Sequence, residues 1–158
     1  MIFELRDHAH QGFLKSYRAQ LGSNYIDPHD TMQSAKPYIR RILESSEILR
    51  QRIVICFSIL FIKFFDIEDE RQEVFYFCSR SEHVLSNFFI DDAIDRCFRK
   101  IVENIDTFLR NGSGWTILYI NFIDIHIGII TRELSGGCAK IQLPTELKKK
   151  VYNKYKLQ

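Results

Sequence analysis

Between residues 90 and 110 the segment "IDDAIDRCFRKIVENIDTFLR" places apolar side chains at Ile94, Cys97/Phe98, Ile101/Val102, Ile105 and Phe108/Leu109. Steps of three or four are the helical repeat, so these positions form one stripe and predict an amphipathic helix. Asp91, Asp92 and Asp95 crowd the positive end of its dipole, and Arg110 closes the negative end. "YIRRILESSEILRQ", residues 38 to 51, repeats Ile39, Ile42/Leu43 and Ile48/Leu49 at the same spacing. Pro37 stands where a first helical turn tolerates it, so a second helix is expected there.

Elsewhere the pattern is extended. "RIVICFSILFIKFF" (52 to 65) and "EVFYFCS" (73 to 79) are rich in β-branched and aromatic residues around the acidic "DIEDERQ" (66 to 72). Two such runs predict an antiparallel hairpin closed by a seven-residue charged loop. After Trp115 the isoleucines fall at 117, 120 and 123, then at 125 and 127. A step of three before steps of two predicts a strand with a bulge near Tyr119 to Phe122, beyond which Asp124, His126 and Gly128 share the face opposite the isoleucines. "SGGCAKIQLP" (135 to 144) reads as a loop with a short final strand.

The order helix, strand, strand, helix, strand predicts an α+β fold: a small, mainly antiparallel sheet of about three to four strands with one or two amphipathic helices on one face. Residues 1 to 36 are polar, with the turn signal Asp27-Pro28, and read as a loosely structured lead-in. Residues 37 to 144 form the single domain and 145 to 158 a basic tail.

"NGSGW", residues 111 to 115, raises the question of a phosphate loop. Phosphate cradles put glycines between a strand and the N-terminus of the next helix, where amides are free. This cluster follows a helix C-terminus, so it reads as a stop, with Gly112 free to turn left-handed and Trp115 folding back over the last helical turn.

With 46% hydrophobic and 27% charged residues over 158 positions, the chain is a globular domain large enough to bury a core. The net charge of +2 is unevenly spread: from 139 onward six Lys oppose only Glu146, a local +5 that leaves −3 on the rest. The body is therefore a poor continuous nucleic-acid channel. Contact with nucleic acid is expected from Lys148, Lys149, Lys150, Lys154 and Lys156, interleaved with Tyr152 and Tyr155, or from the smaller Arg40, Arg41, Arg50, Arg52 group. A solvated terminus has the same composition.

Cys56, Cys78, Cys97 and Cys138 are widely spaced with no zinc-finger pattern. Because "MIFELRDHAH" meets charge at its fourth residue, no signal peptide is read, and reduced thiols in an intracellular protein (cytoplasm or nucleus) are expected. Cys56, Cys78 and Cys97 lie in apolar runs and read as inert core residues, with Cys138 exposed. "IVICFSILFIKFF" is too short for a membrane span and carries Lys63. No membrane association, cofactor or metal site is expected; His8-Ala-His10 lacks further ligands at suitable spacing. Asp124 and His126 could exchange a proton or make a structural contact.

Gly112 to Trp115, the strand Ile117 to Ile127, Gly136-Gly137, Ile141 to Pro144 and Lys148 to Lys150 together form a further pattern. Over residues 55 to 150 it resembles the region that precedes the catalytic part of protein-primed B-family DNA polymerases from Maverick/Polinton-type transposons and related insect viruses. The family's Pro-Leu pair stands here as Glu133-Leu134, and its Ser-Tyr step as Ala139-Lys140. The resemblance implies a polymerase front segment without the downstream catalytic domains, whose partners are nucleic acid, a replication protein or a host protein. Phe65-Asp66-Ile67-Glu68 also resembles the first exonuclease motif of those polymerases, which makes Asp66, Glu68, Asp91 and Asp124 candidate metal-binding carboxylates of a nuclease. Asn87 to Asp91 and Tyr119 to Asp124 approximate the later motifs without their expected spacing. The competing reading of "DIEDER" is an acidic hairpin loop.

Overall fold

A computed structural model describes residues 1–46, 50–112 and 114–130. The chain runs β1 (Glu4–Ala9), β2 (Leu14–Gln20), α1 (Pro28–Glu44), β3 (Gln51–Asp66), β4 (Asp69–Cys78), β5 (Glu82–Val84), α2 (Ile90–Arg110) and β6 (Thr116–Ile129). The fold is α+β as expected, but the sheet has six strands rather than three or four, in the order β1-β2-β6-β3-β4 with β5 paired to β3. Every pairing is antiparallel.

Two crossovers interlock. β2 and β3 are parallel to each other with β6 between them and α1 connecting them, while β4 and β6 are parallel with β3 between them and α2 connecting them. The second unit runs and steps in the opposite sense to the first. A shared crossover hand therefore puts both helices on the same side of the sheet. Ala35, Ile39 and Leu43 of α1 and Ile94, Cys97 and Ile101 of α2 join Ile53, Ile55, Phe57, Ile59 and Phe61 of β3 in one buried cluster. Ile120, Ile123, Ile125 and Ile127 complete it, so the isoleucine ladder of β6 lies in the sheet and faces the same buried cluster as both helices. Each such side chain contributes about 1.5–3 kcal/mol by leaving water.

α1 begins ten residues before the start its apolar spacing suggests. Asp27 caps it, accepting from the Asp30 N–H at 2.8 Å, and Pro28 occupies its first turn. Asp27-Pro28 is thus a helix start, and Pro37 lies inside the helix. The helix ends at Glu44, short of Gln51, which already belongs to β3; Ile48 and Leu49 lie outside the described residues. Lys36–Asp95 at 2.6 Å and Arg40–Asp91 at 2.7 Å join α1 to α2.

Residues 1 to 36, expected as a loose lead-in, instead supply β1, β2 and the first half of α1. β1 is exposed on every residue and β2 buries only Ala19. An edge pair wetted on both faces leaves no apolar alternation to read.

The hairpin is also tighter than its charges suggest. β3 and β4 pair down to Asp66↔Asp69, so Ile67 and Glu68 alone make the turn and the seven-residue loop does not form. Glu70, Arg71 and Gln72 are strand residues opposite Phe64, Lys63 and Ile62, exposed in the outer part of the ladder. Their polarity reports water on the strand rather than a loop.

Gly112, at φ 68°, ends α2 in the left-handed region. Trp115 then packs on Phe75 of β4 at 5.4 Å, and Phe75 lies 4.8 Å from Phe108 in the last turns of α2. The glycine cluster is a helix stop, as its order along the chain requires. β6 bulges where expected: Ser58 faces Phe122 and Ile59 faces Ile120, which leaves Asn121 unmatched.

Candidate binding face and the dispersed carboxylates

Because both helices lie on one side, the other face of the sheet carries no helix among the described residues. Its residues follow from the register. Leu14, Gly128, Arg52 and His83 form one row across β2, β6, β3 and β5. Ser16, His126 and Val54 form the next, followed by Glu4, Arg18, Asp124, Cys56 and Cys78, and then by Gln20, Phe122, Ser58 and Tyr76. Tyr119, Leu60 and Val74 continue the face toward the hairpin tip.

The middle of this face is aromatic. Tyr76 is 65% exposed, and its ring lies 6.1 Å from that of Phe122. The Arg18 guanidinium sits 3.6 Å over the Phe122 ring while donating through Nε and Nη2 to the two Asp124 oxygens, both at 2.7 Å. Hydrogen bonding to Asp124 raises the Arg18 pKa despite partial desolvation, so this cation is permanent. One end of the face is cationic. Arg52 Nη2 lies 3.3 Å from His83 Nε2 beside a shallow cavity of about 270 Å³ at Gly128, bordered by Leu14, Ser16 and His126. Arg52 is about 20 Å along β3 from Ser58 and the ring pair, at the usual rise per strand residue.

The four candidate carboxylates are not brought together. Asp66 ends β3 and accepts from the Ile67 N–H at 2.8 Å, with Glu68 beside it in the turn. Asp124 faces Cys56, about 33 Å back along β3 from Asp66 at the usual strand rise, and is held by Arg18. Asp91 lies in the first turn of α2, on the helix side, and pairs with Arg40. Among the described residues no group of three His, Cys, Asp or Glu side chains could hold a metal. Asp124 and His126 share a face as predicted, but each is engaged elsewhere: Ser16 Oγ lies 2.8 Å from His126 Nδ1. His8 is exposed in β1.

Cys56 and Cys78 are disulfide-bonded, which corrects the expectation of reduced core thiols. Their separation of 22 residues hides the fact that the hairpin ladder sets them directly opposite each other on the helix-free face. Cys97 alone matches the inert reading: it is fully buried under α2, and desolvation pushes its thiol up to about 11, against a Ser79 hydrogen bond that acts to lower it. Cys138 and the contact residues Lys148, Lys149, Lys150, Tyr152, Lys154, Tyr155 and Lys156 lie outside the described residues.

Sequence reasoning found the β6 part of this face in Asp124, His126 and Gly128 but missed its β3 part, because the inner half of β3 is apolar on both sides and shows no alternation. At the hairpin tip Phe64, Phe65 and Ile67 stand in water, Ile67 at 98% exposure. Among the described residues no helix is long and apolar enough to cross a membrane. Compared with known proteins, the chain matches no family model, no curated protein and no solved structure.

Proposed function

We propose that this chain is a non-enzymatic binding module, related to the front segment of a transposon or viral DNA polymerase, that contacts single-stranded nucleic acid. The observation that carries the reading is the exposed Tyr76 ring beside half-buried Phe122, which bears the Arg18 guanidinium, on a sheet face that ends in Arg52 and His83. An exposed ring on a rigid sheet accepts the face of an unstacked base, and a cation further along the path of the strand, here Arg52, holds its backbone. A duplex keeps its bases stacked inside and offers such a surface only its charge. The basic segment Lys148 to Lys156, outside the described residues, is a separate candidate contact for the phosphate backbone. The separation of the Asp66 and Glu68 pair from Asp91 and from Asp124 argues against hydrolysis of the bound strand.

Titration of labelled single-stranded and duplex DNA and RNA at low and moderate salt tests the reading. Single strands are expected to bind more tightly than duplex, with affinity falling as salt rises. Replacing Tyr76 or Phe122 by alanine is expected to cost about 1–3 kcal/mol of binding each, roughly 5- to 150-fold. Absence of binding at low salt, or binding indifferent to both rings, excludes it.

A second reading, contact with a replication or host protein, is favoured by the exposed tip residues Phe64, Phe65 and Ile67. A stable protein partner recovered by the wild-type chain and lost on Ile67→Lys would select it.

A further inference from the structure

Three of the cysteines have described positions, and they fall in two unlike settings. Cys97 is enclosed between α2 and the sheet. Cys56 and Cys78 lie on the helix-free face, where Cys78 is exposed and Cys56 half-buried. The bond between them joins residues that the ladder already holds opposite each other: pairing runs from Cys56↔Cys78 to Asp66↔Asp69, and the adjacent Phe57 and Phe77 anchor the same two strands in the core from the other side. Neither the hairpin nor the core needs the bond in order to form. Opening it leaves two thiols still facing each other, ready to close again.

From this placement we propose that Cys56–Cys78 is a thiol–disulfide exchange site whose reactant is a dithiol reductant, and that its oxidised and reduced states share one fold. A reductant thiolate attacks Sγ of Cys78, which belongs to the more exposed of the two residues. The S–S bond breaks, and Cys56 leaves as a thiolate that takes a proton from water. The second thiol of the reductant then displaces Cys78 from the mixed disulfide. Two electrons pass from the dithiol to the protein, giving two protein thiols and one oxidised reductant. A bond of this kind is reducible in the folded state because its sulfurs are accessible, unlike one sealed in a core. It lies one row from Tyr76 and Phe122, but the exchange does not depend on what binds there.

The test uses the full chain carrying Cys138→Ser, which leaves three thiols to count. Under native conditions dithiothreitol followed by iodoacetamide is expected to label Cys56 and Cys78 only, read by mass spectrometry, with an unchanged circular dichroism spectrum. Oxidised glutathione added before alkylation is expected to restore the bond in a monomer. Labelling that begins only when denaturant also opens Cys97 would make the bond a sealed staple and overturn the proposal. So would thiols that never re-form the bond. Trapping tests the order of attack: with the monothiol 2-mercaptoethanol and an acid quench, the mixed disulfide is expected on Cys78 rather than Cys56 by mass spectrometry, because access governs which sulfur is attacked. Equal amounts on the two, or more on Cys56, would overturn the assignment of Cys78 as the attacked sulfur.

Discussion

The two faces of this sheet are made by the same strands, and often by alternate residues of one run, yet they differ in kind. On β3 the odd positions Ile53, Ile55, Phe57, Ile59 and Phe61 are fully buried beneath two helices. Of the even positions Val54, Cys56 and Leu60 are half-covered, Arg52 stands in water, and only Ser58 and Ile62 are buried. Nothing in side-chain size separates the two sets. What separates them is the direction of the two crossovers, which sends both helices the same way. Burial is therefore concentrated on one face, while the ring pair, the stacked arginine and the disulfide all lie on the other, where no helix of the described residues packs.

Substitutions on opposite faces should break that symmetry of sequence most sharply. Phe57, buried and edge-on to Phe98 at 6.3 Å, should cost about 3–5 kcal/mol when cut to alanine, because a cavity is added to the lost burial. Tyr76→Ala, on the uncovered face, should change stability by about 0.5 kcal/mol, the usual range for a surface site. Urea unfolding of the two variants measures both. A loss of similar size at Tyr76 would mean that the face is covered in solution and would remove it as a binding surface.

Cys97 offers a second contrast, now in pH. Its thiol has a folded-state value pushed up to about 11 from an ordinary 9.0, so the native state keeps a proton that the unfolded chain gives up. Stability from this group is complete below pH 9 and drains away as pH rises to about 11, a total on the order of 3 kcal/mol. Chemical unfolding of wild type and Cys97→Ala across that range should therefore converge as pH rises. Parallel curves would show that Cys97 is not sealed by α2.

Much of the covered face was legible before any coordinates. A helix stripe at Ile94, Cys97, Ile101 and Ile105 and a strand ladder at Ile123, Ile125 and Ile127 each carry their own period, because one side of each element meets only apolar atoms. The period fails where both sides meet similar surroundings. β1 is wet on both faces, the outer hairpin is charged, and the inner part of β3 is apolar on both, so a lead-in, a loop and a featureless buried run were read in their places. The disulfide was hidden for a related reason: register is a long-range property, and a spacing of 22 residues says nothing until the hairpin turn is known to be two residues long. The candidate carboxylates were chosen by motif spacing along the chain, whereas their separation depends on strand length and helix side.

The finest distinction within the helix-free face concerns Arg18. Its charge is spent on Asp124 while its flat surface is spent on Phe122, so it can stiffen the ring pair without attracting phosphate. Asp124→Asn should separate these roles. Stability should fall by only about 1 kcal/mol, since the pair is partly exposed and the guanidinium keeps its stack. Single-stranded DNA should then bind more tightly, and the dependence of log affinity on log salt should steepen by about 0.7, the value for one further phosphate neutralised. Weaker binding with an unchanged slope would mean that Asp124 positions Arg18 over the ring rather than masking its charge. The same titration repeated on Asp124→Asn with Phe122→Ala then decides the order of dependence: a freed arginine without its ring should retain the steeper slope while losing the tighter binding.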